Sequence, residues 1–210
     1  MDRHGNGADG ARLHAAAPAP GAALAQAQAR LWERLAALRI ETRTVTHPPV
    51  FTVEEAKAMR GSLAGGHCKS LFLRDKRHHY LVVALEDRRI DLKALRPALG
   101  AGNLSFASAE RLMAMLGVEP GSVTPLALIN APDPAAEPAL SVVLDRAMLD
   151  HDPLNYHPLS NDATTAIAPL GLVRFIRSCG REPVVVDFDA DPPLLAELPS
   201  RLAAGPAAAG

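Results

Sequence analysis

A lysine, Lys69, stands at the mouth of the apolar run Leu71-Phe72-Leu73, directly after Gly65-Gly66-His67-Cys68. Read as a strand, Lys69 to Arg74 alternates its side chains. Lys69, Leu71 and Leu73 then share one face, and Cys68, Ser70 and Phe72 the other. A lysine against apolar surface keeps a poorly solvated positive charge or lowers its pKa. Either property suits a site that binds a carbonyl or phosphate oxygen. The competing reading is a strand-end lysine whose stem packs while its amine reaches water. His67 and Cys68 suggest a Cys/His nucleophile, but neighbours on a strand face opposite ways and do not readily pair. A buried cysteine behaving as a small hydrophobe is the favoured reading of Cys68. No Gly-x-Ser-x-Gly elbow supports a serine hydrolase.

Two further stretches carry polar chemistry. His151 to Ile167, "HDPLNYHPLSNDATTAI", is dense in His, Asp, Asn and Thr between apolar strands. It suits hydrogen-bonded recognition of a small polar ligand, or equally a turn whose polar groups bond their own backbone. Asp150, His151, Asp152 and His157 meet no recognised metal-ligand spacing, so no metal and no cofactor is expected. In "EPGSVTP", Gly121 permits a close backbone approach and free N–H groups for an anion, although Pro-Gly is first of all a turn signal.

The elements that position these groups follow from periodicity. Leu24, Ala27, Leu31, Leu35 and Leu38 are spaced for a helix over 24–40. Thr42 to Thr46 is a short β-branched strand, and His47-Pro48-Pro49 is extended. Thr52-Val53-Glu54-Glu55 is a capping box opening a helix that Gly61 ends. Two strands, Lys69–Arg74 and Tyr80–Leu85, flank a basic turn. "DLKALRPAL" and "SAERLMAMLG" read as short helices with "NLSFA" as a strand between them. "LALIN" and "LSVVLD" read as strands, "PLGLVRFIRSCG" as a helix from Pro169 to a stop at Gly180, and "PVVVDF" as the last strand. Without regular βαβ alternation, the expected class is α+β, a single domain with a mixed sheet flanked by short helices.

The whole chain sets the bounds. It has 210 residues, 48% of them hydrophobic and 4% aromatic. That supports one domain with tails, its core filled by Leu, Val and Ala. Residues 1–21 read as a disordered Ala/Gly/Pro-rich extension, 22–190 as the domain, and 191–210 as a flexible tail. The formal net charge of −1 advertises no global nucleic-acid field but leaves room for a local basic patch. Cys68 and Cys179 form no CxxC pair, which speaks for a reducing compartment. With no membrane-length apolar run and no secretory core, a cytoplasmic location is expected.

Taken in order, "HPPVFTVEEA" (47–56), "HCKSLFLRD" (67–75), "PGSVTPLALIN" (120–130), "VVLD" (142–145) and "HPLSNDATTAI" (157–167) resemble the YbaK/ProX family. These are aminoacyl-tRNA editing domains related to the insertion domain of bacterial prolyl-tRNA synthetase. The resemblance is greatest to the free-standing branch that clears alanine from tRNA for proline. It implies a deacylase in which Lys69 is required. Thr46, Pro48, Pro49, Val50 and Phe51 would wall the pocket, the Gly121 loop would border it, and His157 with Asn161 would line it. Ser70 stands where the family has Asn at the terminal adenosine. The implied partners are the acceptor end of a mischarged tRNA and prolyl-tRNA synthetase; no membrane or DNA is implied. The tRNA body would be held by Arg74, Lys76 and Arg77, or by Arg174, Arg177 and Arg181. Deacylation of cysteinyl-, seryl- or threonyl-tRNA and a non-catalytic binding module are the alternatives.

Overall fold

The computed structural model describes residues 20–49, 63–136 and 138–203. The expected helix over 52–61 and the residues Val50 and Phe51 lie outside these, as does the 1–19 part of the N-terminal extension.

The strands are β1 (Thr42–Thr46), β2 (Gly66–Arg74), β3 (His78–Leu85), β4 (Ser105–Phe106), β5 (Ala139–Asp145), β6 (Leu154–Tyr156), β7 (Ala163–Ile167), β8 (Val184–Asp187) and β9 (Leu194–Ala196). They form one mixed sheet in the order β1-β7-β6-β2-β3-β5-β8-β9, with β4 paired to β2. The β3–β5, β5–β8 and β2–β6 pairs are parallel and the rest antiparallel. The α+β expectation therefore holds.

Helices α1 (Pro20–Ala37), α3 (Ala109–Leu116) and α4 (Pro169–Ser178) cover one face of the sheet, and α2 (Leu92–Leu99) the other. A short α5 (Ser200–Ala203) ends the described chain. On the first face Leu31, Leu35, Leu116, Leu172 and Phe175 pack on Phe72, Leu81, Val142 and Leu154. On the second, Leu95 packs on Leu73, Tyr80, Val82, Val143 and Val186. Alternation along β2 and β3 thus sorts apolar side chains to two cores. The short helices are fixed at their ends. The Asp91 carboxylate accepts from Lys93 and Ala94 N–H at the start of α2, the Ser108 hydroxyl caps α3, and Gly100 and Gly117 end them at positive φ.

Three expectations are corrected. "LALIN" is a 3₁₀ segment (Pro125–Asn130), not a strand; Pro125 opens it and the Thr124 hydroxyl accepts from Leu126 N–H. Leu126, Ala127 and Leu128 are all buried, and a short run buried all round carries no period to separate strand from helix. The polar stretch 151–167 is a strand pair, β6 and β7, rather than only a turn. The stretch read as a flexible tail contains β9, which pairs with β8 along its open edge, and α5, which buries Leu202.

Candidate active site

Gly66 and His67 on β2 pair in parallel with Leu154 and Asn155 on β6. The pairing ends there, two residues before Lys69 on β2 and one before Tyr156, the last residue of β6. The Cys68 thiol and Tyr156 hydroxyl meet on the face of the larger core. Lys69 lies on the opposite face of β2, and His157 follows directly after the end of β6. On the far side of β6, β7 pairs Thr164 with Val45 of β1.

The Lys69 amine turns toward the end of β3. It donates to the Glu86 carbonyl at 2.8 Å and to the Arg88 carbonyl. Burial lowers its pKa, opposed by the nearby charge of Asp87. An ammonium has three N–H donors. Two are held by backbone carbonyls, and the third has no hydrogen-bond partner among the described residues.

His157 sits just after β6. Its Nδ1 lies 2.9 Å from the Ala163 carbonyl, so Nδ1 carries the proton and Nε2 presents a lone pair. Burial, and then the neighbouring His47, push its pKa down despite the Ala163 carbonyl, which keeps the ring neutral at neutral pH. The two rings tilt together with centroids 6.3 Å apart. His47 Nδ1 donates to the Pro48 carbonyl at 2.8 Å, and its Nε2 meets the Thr164 hydroxyl at 2.9 Å. The loop after His157 is pinned from α1, where Gln28 Nε2 donates to the Pro158 carbonyl and the Ser160 hydroxyl. Asn161 lies in this pinned loop, half-buried. A neutral imidazole lone pair can orient a water, and a cationic N–H can receive a developing negative charge.

The other predicted residues fall unequally. Pro48 and Pro49 are exposed beside His47. Ser70 pairs with Val83 and faces the larger core with Cys68, away from Lys69. Thr46 pairs with Ala163 and shares that face. Gly121 lies between α3 and the 3₁₀ segment with φ +90°, and a Cβ added there would meet nothing within 4 Å. Its glycine is required by backbone conformation rather than by a close approach. A cavity of about 230 Å³ lies between His151, Pro169 and Arg201, before β6, and contains none of the predicted site residues.

Burial pushes the Cys68 pKa up to about 12, so the thiol stays protonated and is no nucleophile. Asp150 is bound by Arg146 and Arg201, and no group of His, Cys, Asp or Glu that could hold a metal occurs among the described residues.

Sequence reasoning missed three partners of the site. His47 was visible only as a residue before prolines, and Thr164 only as one of several threonines. Arg88, whose carbonyl holds the Lys69 amine, lies in a charged turn that reads as ordinary solvated surface.

Residues 47–175 match the family model described as "Aminoacyl-tRNA editing domain". The chain is 40% identical over 171 residues to "Prolyl-tRNA synthetase associated domain-containing protein 1" of Bos taurus, an alignment covering 79% of this chain and 97% of that protein. It is 36% identical over 149 residues to "Prolyl-tRNA editing protein ProX" of Acetoanaerobium sticklandii, covering 70% of this chain and 88% of that one. The fold is shared with a crystal structure described as a candidate trans-editing enzyme for prolyl tRNA synthetase, at TM-score 0.59 and 22% identity, over 87% of this chain and all of that one. With its fold, its ordered motifs and these relatives in agreement, the chain belongs to the aminoacyl-tRNA editing domain family.

Proposed function

We propose that this chain is a free-standing cytoplasmic hydrolase that clears alanine from tRNA charged for proline. The reading is supported above all by the parallel pairing of β2 with β6, Gly66 with Leu154 and His67 with Asn155, which brings the strand that carries Lys69 beside the strand that leads into His157. Water attacks the ester carbonyl, the bond to the terminal ribose oxygen breaks, and that oxygen takes up a proton. The products are free alanine and tRNA with its 3′-end hydroxyl restored. The unprotonated Nε2 of His157 accepts from the water or from a ribose hydroxyl. The remaining N–H of Lys69 faces the charge that develops on the carbonyl oxygen. An aminoacyl ester is already activated, so positioning and charge stabilisation suffice without a protein nucleophile.

Two sets of arginines and lysines competed for the tRNA body. Arg174 donates to the Leu38 carbonyl, Arg177 is clamped on Glu182, and the buried Arg181 donates to the Cys179 and Pro132 carbonyls. Those three are spent on the fold. Arg74, Lys76 and Arg77, at the β2–β3 turn, have no carboxylate ion-pair partner among the described residues, which favours them as the phosphate-contacting set. A synthetase that recruits the editor is the second partner in this reading.

The substrate follows from pocket physics. A site sized for proline excludes alanine only weakly, because each missing methylene is worth only about 1–3 kcal/mol. An editing pocket rejects proline by overlap, and the Pro48-Pro49 backbone beside His47 is a stiff wall for that purpose. The test compares single-turnover hydrolysis of alanyl-, seryl-, cysteinyl-, threonyl- and prolyl-tRNA on one proline tRNA body. Alanyl-tRNA is expected to be cleaved fastest and prolyl-tRNA spared by at least about 100-fold. Preference for the cysteinyl, seryl or threonyl ester would move the chain to another substrate. Equal rates for alanine and proline would end the size argument. Tight binding with no hydrolysis of any ester would make it a binding module.

A further inference from the structure

The turn after β3 presents two carbonyls to the Lys69 amine, and those carbonyls are only as fixed as the turn that carries them. Four residues separate Leu85, the last of β3, from Ile90, and Asp87 and Arg89 among them are exposed. Backbone bonds from Glu86 N–H to the His67 carbonyl at 2.9 Å and from Arg88 N–H to the Leu85 carbonyl at 3.0 Å start the turn. The side chain of Arg88 adds a further anchor.

The Arg88 guanidinium bridges two strand ends. Its Nε donates to Asp145 Oδ2 at 3.2 Å, and its two terminal nitrogens grip Asp189 as a fork, one of them at 3.0 Å. Asp145 ends β5 with its carboxylate fully buried, and it also accepts from Ala147 N–H at 3.1 Å. Burial alone raises the Asp145 pKa, while the guanidinium and backbone N–H groups oppose that shift. The clamp is therefore anchored on a rigid strand at one end and on the loop after β8 at the other. Among the described residues, the hydrogen bonds of the Arg88 side chain go to Asp145 and Asp189.

We infer that Arg88 is a positioning residue for hydrolysis: clamped by Asp145 and Asp189, it fixes the Glu86 and Arg88 carbonyls that aim the Lys69 amine. This rests on the reading of Lys69 as the charged group of the active site. A flexible four-carbon stem has many rotamers, and two fixed acceptors select among them. A bidentate carboxylate grip suits arginine better than lysine.

The test uses the full chain carrying Arg88→Gln, with Asp189→Asn as a milder variant at an exposed carboxylate. Two quantities are read besides the unfolding midpoint: kcat and KM on the mischarged tRNA, and the rate at which an amine-reactive ester labels Lys69, by mass spectrometry with exposed Lys93 as internal reference. Arg88→Gln is expected to label Lys69 several-fold faster and to lose about tenfold or more in kcat, a 1 Å misplacement being enough for such losses. KM should move less than threefold. Asp189→Asn is expected to shift both readouts in the same direction by a smaller factor. A folded Arg88→Gln protein with unchanged labelling and unchanged kcat overturns the inference, and so does an unchanged Asp189→Asn protein if Arg88→Gln fails to fold. Faster labelling at unchanged kcat instead overturns the role of Lys69, as would normal turnover in Lys69→Ala, so the two failures are told apart.

Discussion

Lys69→Ala is expected to lower the single-turnover rate of alanyl-tRNA hydrolysis by about 10²–10³-fold, the usual cost of removing one preorganised donor from a site of developing negative charge. The fold should survive. Among the described residues the amine bonds only the Glu86 and Arg88 carbonyls, and these lie in a turn that water reaches. No buried charge is left unpaired by the change, so the stability loss should stay near 1 kcal/mol. Lys69→Arg should not restore the rate. A guanidinium is a planar fork that cannot place donors on two carbonyls and a third acceptor in the way an ammonium does. The check is hydrolysis of preformed alanyl-tRNA together with a thermal unfolding scan of each variant. Near-normal turnover in Lys69→Ala would remove the residue from the mechanism, and an unfolded protein would show that the amine is structural.

Much of this site was legible in the sequence, for an identifiable reason. Alternation along β2 fixes which side chains share a face, and it separated Lys69 from Cys68 and Ser70 without any tertiary information. The paired cores bear this out, with Leu73 in one and Phe72 in the other. What could not be read was pairing between distant segments. The parallel match of β2 with β6 joins residues almost 90 positions apart, and no local period encodes it. The polar stretch after His151 was ambiguous for the same reason: Leu154, Asn155 and Tyr156 are buried together between two neighbours, so this short strand shows no alternation. The basic residues failed in a third way. Arg177 and Arg74 look alike until Glu182 is found beside one of them. Arg88 belongs with these, since its function lies in the carboxylates that grip it and in the backbone it carries.

The largest loss of stability is expected from Gly65→Ala, a change that adds one methyl group. The Gly65-Gly66 pair is fixed by contact. Gly66 N–H donates to the Pro153 carbonyl at 2.8 Å, and Asn155 Nδ2 donates to the Ala64 carbonyl at 3.0 Å. Gly65 is thereby pressed onto the segment that leads into β6. Its φ is +104°, and a Cβ there would lie 2.1 Å from the Pro153 carbonyl oxygen and 2.9 Å from its carbon. Both are backbone atoms, so no side chain can rotate away. Conformational strain of about 1–2 kcal/mol adds to the overlap, and a total of at least about 3 kcal/mol is expected. For a domain of this size that lowers the unfolding midpoint by about 6–12 °C. Gly121→Ala supplies the control. Its φ is also positive, at +90°, but nothing lies within 4 Å of the added Cβ, so it should cost only the conformational part. If Gly65→Ala costs no more than Gly121→Ala, close approach is not what holds β2 against β6. If it costs the larger amount, hydrolysis should fall even at temperatures where the variant remains folded. Making room shifts β2 against β6, and with it the strand that carries Lys69 against the segment that leads into His157.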